Sequence, residues 1–174
     1  MNLRTLLLTL FIALGNITYA QKTAKDTDFA LAFNDYCASL TDSLYTYGTA
    51  WGEAFGGAYE SSNFSKLTPH SNKISAFIER SQKELIKRKV NPDMDDLKVA
   101  VLDFLAFEKA MIHDAFKPFE KFNDKTSDET IKTQLDFLTE KSAQEEKALN
   151  AVREQQEKLA RLYNFTIEEV YNEE

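Results

Sequence analysis

Apolar residues recur at steps of three and four in four separate segments of the chain, which is the spacing of one face of an α-helix. The first segment runs from about Asp26 to Gly56. Asp26 is its predicted N-cap, because a carboxylate oxygen can accept a hydrogen bond from a free backbone N–H. The apolar positions predict one long amphipathic helix, and they are Phe29, Phe33, Tyr36, Leu40, Leu44, Tyr47, Trp51 and Phe55.

The second and third segments carry proline at positions that mark helix ends. The second runs from about Thr68 to Lys89, with Thr68 as a cap and Pro69 at the first helical position, where its missing N–H is not needed. The third opens at Asn91, and we expect Pro118 to kink or end it, because proline removes a backbone donor. Its apolar residues are Leu97, Val101, Leu105, Met111, Ile112, Phe116 and Phe119.

The fourth segment has the clearest predicted start and end. Thr126 and Glu129 have the spacing of a capping box, in which each side chain accepts a hydrogen bond from a free N–H. The helix is predicted to span roughly 36 residues, longer than most helices of globular domains. Residues 139–147 contain a single apolar residue, so we expect thin packing there. Asn164 is expected in the left-handed conformation, with Phe165 folding back on the last turn.

Together the four segments predict an all-α fold, an up-down-up-down four-helix bundle with a long C-terminal helix. Only five Gly and three Pro occur in 174 residues, too few for a fold of many short strands with frequent turns. The bundle domain is predicted over residues 21–165, and residues 166–174 are an acidic tail that we expect to be loosely ordered.

The first twenty residues have the pattern of a cleaved signal peptide. Arg4 precedes an apolar run of nine residues that one threonine interrupts, and Ala20 supplies the small residue of a cleavage site. The run is too short to span a bilayer, which takes about 20 apolar residues. The sequence therefore predicts an exported, soluble protein, periplasmic or secreted, with no membrane span after signal cleavage.

Charge and cysteine content limit the partners. The net charge is −7, and removing residues 1–20 takes away one Arg and no acid, which leaves −8. This balance argues against nucleic acid as a partner, since that affinity comes from clustered Lys and Arg. Cys37 is the single cysteine, so no disulfide can form within one chain. It is either a small buried residue or a link between two copies in a homodimer.

Motifs for metals, cofactors and catalysis do not occur. His70 and His113 are the only histidines, and neither completes the Glu-x-x-His pattern of a di-iron bundle. The acidic stretches that begin at Asp93 and Asp124 lack the Gly and Glu of a calcium loop. No activated nucleophile, phosphate loop or dinucleotide motif is present. The sequence predicts no catalytic residue, cofactor or metal, and hence a protein that is not an enzyme.

The four glycines that follow the signal peptide lie within ten residues, at positions 48, 52, 56 and 57, among five aromatic residues. Each glycine inside a helix costs up to about 1 kcal/mol relative to alanine, so something should offset it. Three interpretations are open: close packing on a neighbouring helix, fraying into a flexible loop, or an exposed aromatic patch that binds a partner or ligand. The candidate interaction surface comprises Tyr47, Gly48, Trp51, Gly52, Phe55, Gly56 and Tyr59.

Two stretches carry a resemblance to a known family. LKVAVLDFLAF (residues 97–107) and QQEKLARLYNF (residues 155–165) resemble segments of a family of small exported helical surface proteins from Bacteroidetes and spirochaetes. The resemblance spans most of residues 26–165. It implies a helical fold and a bacterial envelope setting, and the family has no established activity. Many of its members look like lipoproteins, whereas in this chain no cysteine directly follows the predicted cleavage point after Ala20.

The leading functional hypothesis is a non-catalytic helical bundle that binds an unknown protein or envelope component. Its expected binding surfaces are the glycine–aromatic segment (residues 45–59) and the acidic, thinly packed part of the last helix around residues 139–147. The alternative is a carrier that holds a hydrophobic ligand or haem in its phenylalanine-rich core.

Overall fold

The computed structural model describes residues 23–167, which fold into four α-helices connected by short loops and single turns of 3₁₀ and π helix. No strand occurs within these residues, so the all-α class is confirmed for them. The predicted signal peptide (residues 1–20) and residues 168–174 of the predicted tail lie outside the described residues. The helices are α1 (Ala24–Glu60), α2 (Thr68–Lys87), α3 (Asp95–Met111) and α4 (Asp128–Tyr163).

Helix α1 begins with a capping box, and its N-cap lies three residues before Asp26, the predicted N-cap. The Thr23 side chain accepts a hydrogen bond from the backbone N–H of Asp26, and the Asp26 carboxylate accepts one from the backbone N–H of Thr23. Asp26 is therefore inside the first turn, and Thr23 is the N-cap. At its other end α1 continues past Gly56 to Glu60.

Helix α2 follows a 3₁₀ turn at Phe64–Leu67, which the sequence reading missed. Because that turn leads directly into the helix, Thr68 is already helical and does not cap it. Its hydroxyl instead donates a hydrogen bond of 2.9 Å to Glu120 Oε2, beyond the end of α3. Pro69 lies in the first turn of α2, at the second helical position rather than the predicted first one.

Helix α3 ends before Pro118, as the sequence predicts. The α-helical part stops at Met111, and the chain continues as a π-helical turn (Ile112–Phe116) and a 3₁₀ turn (Lys117–Lys121). Pro118 lies at the start of the 3₁₀ turn, where the missing N–H is tolerated. The backbone change therefore spreads over two turns rather than forming a single kink.

Helix α4 spans 36 residues, but its predicted cap is wrong by one position. Ser127 is the N-cap and accepts a hydrogen bond from Thr130 N at 3.2 Å. The Thr126 hydroxyl instead accepts a hydrogen bond from Asn123 N in the preceding loop. The predicted end is confirmed: Asn164 has φ 55° and ψ 48°, and Phe165 packs against the core.

Each helix packs against its neighbour in sequence, and α4 also packs against α1. The contact between α3 and α4 is the most extensive. Residues from all four helices form one hydrophobic core, represented by Phe33, Ile78, Leu105 and Leu159. Within residues 23–167 no helix has the length and apolar character needed to cross a membrane.

Helix α4 is buried near its ends and not along its middle. After Ile131 the next buried residue is Val152, and none of residues 139–147 is buried. The prediction of thin packing in this part of the helix is confirmed. Helix α1 has glycines at four positions of its second half, and the space between α1 and α4 is open beside Gly48.

Cys37 lies in the core on α1, with 0% of its surface exposed and its thiol free. Burial raises the pKa of the thiol to about 12, because a thiolate would lose its hydration. These two facts favour the interpretation of Cys37 as a small core residue over a disulfide between two copies, which would require the sulfur to leave the core.

Candidate functional site

The second half of α1 and the first half of α4 border an open groove that contains two cavities. We call this surface the α1–α4 groove. The larger cavity, of about 510 Å³, is lined by Phe55, Tyr59, Asp128, Glu129, Ile131, Lys132 and Leu135. The smaller cavity, of about 190 Å³, is lined by Leu44, Tyr45, Gly48, Thr49, Ile74, Glu108, Met111, Ile112, Phe116, Ser142 and Glu145.

The glycines of α1 face open space. A Cβ atom placed on Gly48, Gly52, Gly56 or Gly57 would meet no atom of another element within 4 Å. The expected close approach of a neighbouring helix is therefore wrong. The expected fraying is wrong as well, since α1 continues without a break through all four glycines. The interpretation as an exposed surface is the one that agrees with this geometry.

Three of the glycines form the α1 side of the groove. Gly48 lines the smaller cavity directly. At 100° per residue, Gly52 and Gly56 fall within the arc of α1 that also contains Tyr45 and Tyr59, which line the two cavities. The groove thus has one wall without side chains, along which another backbone could approach closely.

Two residues of the predicted interaction surface do not belong to it. Trp51 is 4% exposed, and its indole packs in the core, so its prediction as a surface residue is wrong. Tyr47 lies on the side of α1 that faces α2, where its ring contacts Phe77 edge-on with centroids 5.3 Å apart. Phe55, half-buried, and Tyr59, exposed, do line the groove.

The structure brings together two segments that the sequence reading singled out separately. Tyr45 and Gly48 come from the glycine–aromatic segment, whereas Ser142 and Glu145 come from the thinly packed part of α4. All four residues line the smaller cavity. The two predicted surfaces are therefore opposite sides of one groove.

Glu108 of α3 lies beneath this cavity and was missed by the sequence reading. The residue is 4% exposed, and its Oε1 atom has no hydrogen-bond partner. Burial, and then the nearby Glu145 carboxylate, raise the pKa of Glu108 to about 9. Burial also raises the pKa of Glu145. Because two adjacent carboxylates repel each other in a poorly hydrated site, the pair holds a proton at neutral pH.

A sequence signal for Glu108 exists. It lies three residues after Leu105 and four before Ile112, so it occupies the apolar stripe of α3. Acids are rarely fully buried unless they are paired. An acid in the middle of an apolar stripe is therefore an indicator of a buried polar site, and only the structure identifies Glu145 as its neighbour.

The larger cavity combines an apolar floor with a charged rim. Phe55, Ile131 and Leu135 supply the apolar surface. The charged lining residues are two acids in the first turn of α4, Asp128 and Glu129, and one cation, Lys132. The rim is therefore net acidic, like the chain as a whole.

The histidines lie away from this groove. The His113 side chain is 82% exposed, and its Nδ1 lies 2.6 Å from a carboxylate oxygen of Asp114. His70 is half-buried at the start of α2. Neither residue lines the two cavities, so neither is placed to ligate a haem there. Within residues 23–167, no group of three or more His, Cys, Asp or Glu side chains is arranged to hold a metal ion.

The groove thus offers an apolar floor, a glycine wall, an acidic rim and a buried carboxyl pair. These features suit the binding of an apolar, cationic group. No protein-family model matches the chain, and neither curated proteins nor solved structures give a match.

Proposed function

We propose that this chain is an exported, non-catalytic binding protein of the bacterial cell envelope, and that its α1–α4 groove holds an amphipathic helix of a partner protein. The signal-peptide pattern of residues 1–20 supports export. The resemblance carried by residues 97–107 and 155–165 supports the envelope setting.

The proposal includes the up-down-up-down order of the four helices. Two contacts support alternating directions, because each joins the end of α4 to the start of another helix. The Thr27 hydroxyl donates a hydrogen bond of 3.3 Å to the Tyr163 carbonyl oxygen, and the Tyr163 hydroxyl donates one of 3.2 Å to Asp93 Oδ2. The starts of α1 and α3 therefore lie beside the end of α4.

The observation that carries the proposal is the open glycine wall of α1. Three glycines at intervals of four residues each cost up to about 1 kcal/mol in an α-helix. No atom of another element lies where their side chains would be, so packing within the described residues does not offset this cost. Close approach of a second backbone is a use of such a face that side chains would block.

The rest of the groove defines the chemistry of the partner. Its apolar floor at Phe55, Ile131 and Leu135 fits the apolar side of a helix. Its acidic rim at Asp128 and Glu129 complements basic residues at the edge of that apolar side. The occupant is therefore a basic amphipathic helix of another protein.

The proposal is tested by photocrosslinking in cells that produce the protein naturally. A benzophenone amino acid is placed at Tyr59, which lines the groove, and in a second variant at Gly57, which lies outside the arc of α1 that borders the groove. Tyr59 is exposed and Gly57 has open space for an added side chain, so both variants should fold. We expect one defined protein adduct from position 59 and none from position 57.

Adducts of equal yield from both positions would contradict the proposal, since they would report random contact. A second variant pair adds a functional comparison. Gly52→Leu should abolish the adduct formed by a probe at Tyr59, because the leucine fills the wall that the partner approaches. Gly57→Leu should leave that adduct unchanged.

A carrier of a hydrophobic ligand is the second candidate, and the larger cavity favours it. The cavity offers about 510 Å³ beside Phe55, Ile131 and Leu135. The aromatic rings of the core, among them Phe64 and Phe119, pack directly against one another. Because this packing leaves no room for a ligand between the rings, such a ligand would lie in the groove. Native mass spectrometry of the purified protein distinguishes the two candidates, because a carrier would retain a molecule of fixed mass.

A further inference from the structure

The smaller cavity of the groove combines a carboxyl pair with apolar walls. Glu108 reaches it from α3 and Glu145 from α4, while Tyr45 borders it from α1. The apolar part of the lining comes from several elements and comprises Leu44, Ile74, Met111, Ile112 and Phe116. No lysine or arginine lines the cavity. Among the described residues that line the cavity, no cation therefore faces the carboxyl pair.

Glu108 is the strongest indication that this cavity receives a ligand. The residue is 4% exposed, its side chain hydrogen-bonds with the Glu145 carboxyl group, and its Oε1 atom accepts a hydrogen bond from no other group of the described residues. A buried polar atom left without a partner costs about 1–3 kcal/mol. Because this acceptor borders a cavity, a bound group with an N–H donor can supply the missing hydrogen bond.

We propose that the cavity between Glu108 and Glu145 is a binding site for the ammonium group of a primary alkylamine. An ammonium group has three N–H donors and a positive charge, so it can satisfy both carboxyl groups at once. The apolar lining then packs around the alkyl chain. At about 190 Å³ the cavity is somewhat larger than the roughly 150 Å³ cavity known to admit benzene, so a chain of four to six carbons fits.

A divalent metal ion fits this cavity less well. Calcium takes about six to eight oxygen ligands, and magnesium retains several waters around it. The cavity supplies two carboxyl groups, the hydroxyls of Tyr45, Thr49 and Ser142, and a wall of apolar side chains. Such a wall favours an alkyl chain over a hydrated ion.

The amine would replace the proton that the carboxyl pair holds. The titratable residues of the cavity are Tyr45, Glu108 and Glu145, and the part contributed by α2 is the apolar Ile74. Because the pKa of Glu108 is raised, binding at neutral pH should release a proton. The affinity should therefore rise from pH 6 to pH 9 and fall once the amine itself deprotonates near about pH 10.4.

Isothermal titration of the purified protein with n-pentylamine at pH 7.5 tests this inference. The same titration with n-pentanol, which has the same chain but no charge, measures the apolar contribution alone. Titration in two buffers of different ionisation enthalpy gives the number of protons released. We expect saturable binding of the amine, at least tenfold weaker binding of the alcohol, and release of close to one proton.

Matched variants locate the site. Glu108→Gln and Glu145→Gln should each weaken amine binding at least tenfold, whereas Glu146→Gln, at the exposed neighbour of Glu145, should leave it unchanged. Gly48→Leu should block the cavity, and Gly57→Leu should not. Unchanged binding in Glu108→Gln, or equal binding of pentylamine and pentanol, would overturn the proposal. Displacement of the bound amine by calcium chloride, at a calcium concentration below that of the amine, would overturn it as well.

Two sources share this chemistry, a free aliphatic amine and a lysine side chain of a bound protein. A short acetylated and amidated peptide with one lysine among alanines separates them. Binding tighter than that of pentylamine identifies lysine as the ligand, and weaker binding identifies a free amine. The inference rests on this cavity alone, so it survives if no crosslinked partner is found at Tyr59.

Discussion

Trp51 of α1 donates a hydrogen bond of 3.1 Å from its indole Nε1 to the hydroxyl of Ser71 on α2. Both residues are buried, with 4% and 0% of their surfaces exposed. The ring of Phe116, in the π-helical turn, stacks on the indole with centroids 4.1 Å apart. This contact anchors the side of α1 next to the glycine wall, and Phe116 also lines the smaller cavity, so the groove is bordered by a helix that is held in the core.

Replacing Ser71 by alanine should destabilise the protein measurably. The variant leaves the indole N–H buried without an acceptor, which costs about 1–3 kcal/mol. Urea unfolding followed by fluorescence gives the free energy of unfolding directly, because Trp51 is the single tryptophan. Ser75→Ala is the control, since Ser75 is half-buried on the same helix. Equal stability of the two variants would contradict the role of this hydrogen bond.

Replacing Gly52 by alanine should stabilise the protein. The added methyl group meets no atom of another element within 4 Å, and alanine is favoured over glycine inside a helix by about 0.5–1 kcal/mol. Thermal unfolding of the wild type and the variant measures the gain. Gly57→Ala, on the same helix with equal space, should give a similar gain.

A loss of stability in Gly52→Ala would mean that another helix does pack closely on this glycine. The comparison with Gly57→Ala makes the result specific, since backbone propensity is the same at both positions. A gain at both positions, together with loss of the partner adduct in Gly52→Leu, would show that the glycine wall serves binding at the expense of stability.

Much of the fold could be predicted from the sequence, because it depends on local patterns. The apolar spacing of α1 and the left-handed residue Asn164 both follow from backbone geometry that neighbouring residues determine. The caps were less predictable. Several Ser, Thr and Asp side chains near Thr23 and Ser127 can each accept the same hydrogen bonds, and packing decides between them.

The site was only partly predictable, because it depends on contacts between distant residues. The glycine spacing identified the correct face of α1 but left open whether a helix covers it. Aromatic residues in the same segment could not be divided by sequence into Trp51, which is buried against Ser71, and Tyr59, which is exposed. The pairing of Glu108 with Glu145 joins positions on two helices, which no local pattern specifies.

Cys37 should react slowly with thiol reagents in the folded protein. The side chain is fully buried, and a pKa of about 12 leaves almost no thiolate at neutral pH. Labelling with iodoacetamide at pH 7.5, with and without 6 M urea, should give rapid modification only in urea. Non-reducing electrophoresis of the native protein should show a monomer. Rapid native labelling, or a disulfide-linked dimer, would contradict the buried position.

The raised pKa of Glu108 predicts how stability depends on pH. In the unfolded chain a glutamate has a pKa of about 4.3, so it loses its proton at a lower pH than in the folded protein. Between that value and about 9 the folded protein binds more protons than the unfolded chain. The contribution of Glu108 to the free energy of unfolding must therefore decrease as pH rises through this window, and it is fully retained below it.

Glu108→Gln tests this dependence, because an amide resembles the protonated acid and cannot ionise. At pH 4 the variant and the wild type should be about equally stable. At pH 8 the variant should be the more stable by on the order of 1.4 kcal/mol for each pH unit above the pKa of the unfolded glutamate. Urea unfolding at both values measures the difference. Glu146→Gln, at an exposed acid, is the control for loss of one negative charge. A variant with the same pH dependence as the wild type would show that Glu108 is ionised in the folded protein, and that the cavity lacks the proton which an amine is proposed to displace.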